Sequence, residues 1–312
     1  RCSKLKKVMF LSSSLKIIKA YTFEQFSDLL EITIPPGITT IEKFAFDGCI
    51  SLKKIILPDT LITIENKIFK GCSSLMDITI PHSVINIGSN IFHGCTSLEK
   101  VKINPNKTKA RQDTFNNCKS LKDIIIHTDE PVLHQFDIKP YENITSFIIS
   151  DNVIKIEQKA FKGFSSIQKI TIQSSAINIG DSAFKKCVSM KEITIPDSVQ
   201  YIGKLAFSKC KLLTHIKIPT SVSSIRNSTF CDCELLAEII IPSSITSIGS
   251  LAFSGCTSLE KITIPSSVEF IGEYAFSGCS SLTEVQISSS LQSLSNHLFN
   301  KCELLKVIEI PS

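Results

Sequence analysis

Phenylalanine recurs in this chain at a fixed step. Phe23, Phe46, Phe69, Phe92 and Phe115 lie 23 residues apart, and after one double step the series resumes as Phe161, Phe184, Phe207, Phe230, Phe253, Phe276 and Phe299. Ile138 holds the vacant place, so the register survives where the sequence drifts. A fixed period of about 20 to 50 residues marks a solenoid, because each repeat is too small to bury its apolar face alone and does so only against its neighbours. Length by itself would suggest that 312 residues form two domains, but the repetition overrides it. The expectation is one solenoid over residues 1–312, about thirteen repeats long and irregular over 104–152, and part of a longer chain.

The unit that begins at Phe253 continues through Cys256, Leu259, Ile262, Ile264, Pro265, Val268 and Ile271 to Ala275 and the next Phe. Leu259-x-x-Ile262-x-Ile264 ends in a period-two alternation, as expected of a strand with one face buried. Pro265 ends the strand, since it cannot donate to a ladder. Val268-x-x-Ile271 supplies a second extended or turning edge, and Gly272 to Cys279 is expected to make a tight helical turn on the back of the coil. Leu5, Val8 and Phe10 fit the strand positions of a partial first repeat.

The full pattern is Ser-Leu-x-x-Ile-x-Ile-Pro-x-Ser-Val-x-x-Ile-Gly-x-x-Ala-Phe-x-x-Cys, clearest in 69–104 and 184–287. It resembles the BspA-like subfamily of leucine-rich repeat proteins over essentially the whole chain. The resemblance implies a leucine-rich repeat solenoid, with a parallel β-sheet on the concave side and short turns or helical turns on the convex side. It also implies a non-enzymatic adhesion or protein-binding module, found in host-associated bacteria and parasitic protists such as Trichomonas and Entamoeba. A cell-surface or secreted location and a host matrix or surface protein as partner would follow, with a cytoplasmic interaction scaffold as the alternative.

Ten of the twelve cysteines stand three residues after the marker: Cys49, Cys72, Cys95, Cys118, Cys187, Cys210, Cys233, Cys256, Cys279 and Cys302. Phe26, Tyr141 and Phe164 occupy the same slot elsewhere. A slot that accepts either thiol or aromatic ring is apolar, so these cysteines are expected to form a reduced core ladder and not a disulfide framework. Cys231 adds one thiol beside it.

Charge excludes a nucleic-acid groove. Of 34 bases, Arg1, Lys4, Lys6, Lys7, Lys16 and Lys19 precede the first acid, and the other 28 face 29 acids without forming a basic stripe. No apolar run reaches the roughly 18 residues of a membrane span. Phosphate loops, HExxH, GxSxG and CxxC are all missing, so neither catalysis nor a cofactor is indicated. His127, Asp129, Glu130, His134 and Asp137 cluster where the repeat degenerates, more in the manner of a solvated edge than of a metal site. Asn106, Asn143 and Asn227 begin glycosylation sequons.

The candidate contact residues therefore come from strand positions that point away from the core. Eight residues after each marker the charges alternate, as in Lys54, Asp77, Lys100, Asp123, Ser146, Lys169 and Glu192. In register these become lateral neighbours that can pair with one another. Two residues further on stand Ile56, Thr79, Lys102, Ile125, Ile148, Thr171 and, later, Ile240. Ile125 and Ile148 are expected to adjoin as an exposed apolar pair beside Ser146 and His127. With Lys100, Lys102, Asp123, Lys169 and Thr171 they form the candidate ligand-binding surface.

Overall fold

The computed structural model describes residues 3–11, 14–108, 113–135, 144–287, 291 and 293–310. Ile138 and Tyr141 lie outside them. The chain is a parallel-strand solenoid of about twelve turns with 23-residue spacing. It packs as two compact units. The first holds the chain up to Asp129 and a segment ending at Ile148; the second holds Glu130–Gln135 and everything from Ile149.

Most turns contribute to two ladders, although the main-face positions 215–218 and 238–241, in the turns marked by Phe207 and Phe230, form no strand. On the main face of the first unit, Glu31–Thr33 pairs with Lys54–Ile56, and Asp77–Thr79 pairs with Lys100–Ile103, which pairs with Asp123–Ile126. All are parallel, and each residue faces its equivalent one repeat on, Glu31 opposite Lys54 and Lys100 opposite Asp123. The partial first repeat is present as well, since Lys7 bridges to Glu31 in parallel, a step of 24. A second ladder of two-residue strands runs Ile17–Ile18, Thr40–Ile41, Thr63–Ile64 and Asn86–Ile87. It is the second edge expected from the Val-x-x-Ile spacing.

The second unit repeats the scheme. Its main-face pairs include Lys169–Ile172 with Glu192–Thr194, and Lys261–Ile264 with Glu284–Ile287. Its short ladder includes Lys155–Ile156, Asn178–Ile179 and Tyr201–Ile202. In both units the strand alternation is real: Ile262 and Ile264 are buried while Lys261 and Thr263 are exposed.

The back of each turn is not helical, and no helix occurs among the described residues. The reason lies in where the amides point. Phe253 N–H donates to Ala275 O at 2.8 Å and Gly255 N–H to Ser277 O at 2.8 Å, both one turn ahead, while Cys256 N–H closes locally on Phe253 O. Alternate amides thus leave the segment, which a helix cannot allow. Two left-handed residues per turn enforce this path, Leu251 at φ 57° and Gly255 at φ 75° around Phe253, and their equivalents elsewhere.

The motif residues each serve the neighbouring turn. Marker rings stack in sequence, Phe23 through Phe115 at 5.1–5.7 Å and Phe161 through Phe299 at 5.3–5.7 Å between centroids. Each ladder thiol donates to the carbonyl of the preceding marker, as Cys72 Sγ does to Phe46 O at 3.2 Å and Cys256 Sγ to Phe230 O at 3.3 Å. The slot is therefore apolar with one acceptor, which suits a thiol. Where Phe26 or Phe164 fills it, the ring packs edge-on against the marker of its own turn. The hydroxyl residue two places after a strand-ending proline donates to the previous turn, Ser244 Oγ to Val222 O at 2.7 Å, Ser267 Oγ to Ile245 O at 2.7 Å and Thr60 Oγ1 to Ile38 O at 2.8 Å. Gly249 is required by close approach, since a Cβ there would meet Asn227 N at 2.5 Å.

Two predictions follow from this packing. Phe253→Ala should lower stability by about 3–5 kcal/mol, because an enclosed ring with a stacked neighbour on each side is lost; urea denaturation measures it. Burial raises the thiols of Cys49, Cys118 and Cys187 from about 9 to about 12, so folding favours their protonated form. The stability from this source is complete below pH 9 and is lost as pH rises toward 12. Urea midpoints should fall across that range, and by less in a Cys187→Ala chain.

Candidate functional site

The outward positions of the main strands in the first unit form two parallel columns. One runs Lys7, Glu31, Lys54, Asp77, Lys100, Asp123, alternating in sign at every step. Lys7 with Glu31, Glu31 with Lys54, Asp77 with Lys100, and Lys100 with Asp123 are directly opposed in register. The other column runs Met9, Thr33, Ile56, Thr79, Lys102, Ile125, with Met9 66 % and Ile56 47 % exposed.

On the main-strand face two lateral pairs close in the second unit and none among the described residues of the first, where Lys19–Glu42 and Lys70–Asp47 pair away from that face. Lys169 meets Glu192 and Lys261 meets Glu284, each at 2.5 Å. The Lys169 ammonium holds the Glu192 carboxyl below its usual range, and Glu284 holds Lys261 above its own, in each case chiefly through the hydrogen bond. Among the described residues, no ion pair joins Lys54, Asp77, Lys100 or Asp123 to anything. Lys100 is flanked by Asp77 and Asp123, whose short carboxylate arm reaches less far across the strand spacing of about 4.8 Å, whereas Glu31 stands opposite Lys54 without pairing although its arm is as long as that of Glu192 or Glu284.

Two depressions open on this face. One of about 420 Å³ lies over Thr33, walled by Met9, Phe10, Pro35 and Ile56. The other, about 250 Å³, is lined by Met76, Asp77, Thr79, Glu99, Lys100, Lys102 and Ile125. The candidate residues Lys100, Lys102 and Ile125 thus come together at a concavity, next to Asp123. Ser146 and Ile148 stand on the strand that neighbours Asp123–Ile126 in the sheet. Lys169 and Thr171 belong to the second unit, opposite Glu192 and Thr194.

The isoleucine pair differs from expectation. Ile125 and Ile148 are half-buried rather than exposed. Ile125 is flanked in register by Lys102, whose stem can cover it. The freely exposed members of the column are Ile56 and Ile240, the latter at 75 %. Both share the outward position of Ile125, which was the available signal. Met9 gave none, because the first step is one residue longer than the rest.

The irregular segment after Lys100–Ile103 is held by polar bonds in place of the strand-ending proline. Asn104, buried, donates to Asp129 at 3.0 Å, Asn106 donates to Thr128 at 3.3 Å, and Lys107 pairs with Asp129. His127 is half-buried, and burial, then Lys102 and His82, lower its pKa. It is therefore neutral near pH 7. Asp129 belongs to this network, while His134 lies between Glu130 at 3.6 Å and Glu157 at 3.0 Å. Asp137 is outside the described residues, and among those described no group of three or more His, Cys, Asp or Glu is placed to hold a metal ion. Among the described residues no helix is long and apolar enough to cross a membrane. Asn106 is half-buried and Asn227 exposed. Asn143 is not described.

A repeated parallel-strand turn with a buried Phe, Leu, Ile and Cys column and an outward polar face defines a leucine-rich repeat solenoid, a class whose exposed strand face is the variable part. The model of the BspA type leucine rich repeat region matches residues 1–130, 139–259 and 223–312, and the chain belongs to that family. The chain is similar to a leucine-rich repeat protein from Bacteroides ovatus, with 26 % identity and a TM-score of 0.58, covering 96 % of this chain and 84 % of that one. It is also similar to a leucine rich cell surface protein from Faecalibacterium prausnitzii, with 25 % identity and a TM-score of 0.43, covering 94 % and 89 %. No curated protein matches the chain.

The difference between the units is measurable. In double-mutant cycles at low salt, Lys169 and Glu192 should show a favourable coupling that fades with added salt, while Lys100 and Asp123 should show none.

Proposed function

We propose that this chain is a non-enzymatic protein-binding module of the cell surface or of the secreted fraction, and that the main-strand face of its first unit receives the ligand. One observation carries the reading: Lys54 stands in register with Glu31, and Lys100 with Asp77 and Asp123, yet among the described residues none of these charges makes an ion pair, and depressions lined by Thr33 and by Thr79 open beside them. In the second unit Lys169 closes on Glu192 and Lys261 on Glu284, so a ligand there would first have to break those pairs. On the first unit it would not. Membership of the BspA-type family supports a protein-interaction role; a host matrix or surface protein is the partner proposed.

Ile125 and Ile148, with Ser146, His127, Lys100, Lys102 and Asp123, form the part of the face nearest the irregular segment. Lys169 and Thr171 are candidate contact residues of the second unit, taken by itself. Replacing both isoleucines by lysine adds charge at half-buried positions and should weaken capture of host matrix proteins without unfolding the chain. Unchanged binding by a folded double variant removes this part of the surface. Labelling of intact cells by a membrane-impermeant reagent should reach the chain; labelling only after lysis would instead assign it to an intracellular interaction scaffold.

A further inference from the structure

We infer that the outward face of the first unit is shaped for an amphipathic α-helix of mixed charge, lying across the strands, with apolar side chains seated over Thr33 and Thr79. The inference rests on the protein-binding reading above and names the kind of ligand segment.

Strand spacing favours a helix over an extended segment. Adjacent parallel strands are about 4.8 Å apart, so the charges alternate every 4.8 Å or so along the turns and repeat in sign at about 9.6 Å. A helix rises about 1.5 Å per residue, which puts residues i and i+3 about 4.5 Å apart and i and i+7 about 10.5 Å apart on one face. Those intervals stay within about 1 Å of one and two strand spacings. An extended segment running the same way places same-side side chains about 6.7 Å apart, between one spacing and two. It falls out of step with the charges after a single interval.

The depressions obey the same measure. Thr33 and Thr79 are two turns apart, each a small outward residue with a longer apolar one beside it. Met9 and Ile56 flank the first hole, and Ile125 and Met76 border the second. A helix with leucines at i and i+7 would place one over each hole. Its acids would then face Lys54 and Lys100, and its bases Asp77 and Glu31. Seating apolar anchors along i and i+7 is the general manner in which grooves hold helices. Because none of Lys54, Asp77 or Lys100 has an ion-pair partner of its own among the described residues, charge complementarity need not displace an existing bond.

The test uses two fluorescent peptides of identical composition, read by anisotropy against the whole chain. One is an alanine-based helix with leucines at i and i+7 and alternating Glu and Lys on the same face. The other carries the same residues in an order that breaks the pattern, with its prolines moved from the ends to the centre so that it cannot form a helix. The patterned peptide should bind, and the Lys54→Glu, Lys100→Glu double variant should bind it about tenfold more weakly. A charge-swapped helix should recover the loss on that variant. If the non-helical peptide binds as well and is equally weakened by the double variant, the face takes peptides but not as helices, and this inference falls while the binding reading stands. If neither peptide binds up to about 1 mM, or the double variant changes neither, both are overturned.

Discussion

Successive turns of this chain complete one another's hydrogen bonds, and the rest of the structure depends on it. A marker amide such as Phe253 N–H donates forward to the carbonyl of the following turn, while the thiol of Cys256 donates back to Phe230 O. Neither bond can exist inside one turn. The stacked phenylalanines add apolar contact along the same direction, and the left-handed residues on either side of each marker turn the backbone so that its groups point along the stack. The core is therefore a set of columns, and each column accepts any residue that fits the slot and satisfies its one polar neighbour.

That column logic explains what could be read from the residues and what could not. Core positions repeat because the slot repeats, so Phe, Leu, Ile and Cys announced the period, the strand alternation and the buried, reduced thiols. The back of the coil was harder. Gly272 to Cys279 is long enough for a short helical turn, and the lateral path of its amides shows why it turns otherwise. Outward residues touch neighbours one turn away, so their burial depends on who stands beside them. Ile125 and Ile56 occupy the same position in their repeats, yet Ile125 sits next to Lys102 and is half-buried while Ile56 stands between threonines and is exposed. The one-residue longer first step hid Met9 for the same reason: register, not residue type, decides which way it points.

The same separation gives the molecule its functional economy. Core columns fix the backbone whatever stands outside, which leaves the outward columns free to vary from turn to turn. In the second unit that freedom is used for closed Lys–Glu pairs across the ladder. In the first it leaves an ordered but open row of charges beside two small-floored holes. The two units are built from the same kind of turn and differ in how the charges on their main-strand faces are paired.

The central claim is that stability passes from turn to turn through nearest neighbours. Amide hydrogen exchange on a Phe207→Ala chain tests it most directly, because a repeat stack with only neighbour terms confines the damage. Exchange should accelerate most in the turns marked by Phe184, Phe207 and Phe230 and remain near its original rate around Phe276. A uniform acceleration across every turn, or none in the two flanking turns, would contradict it.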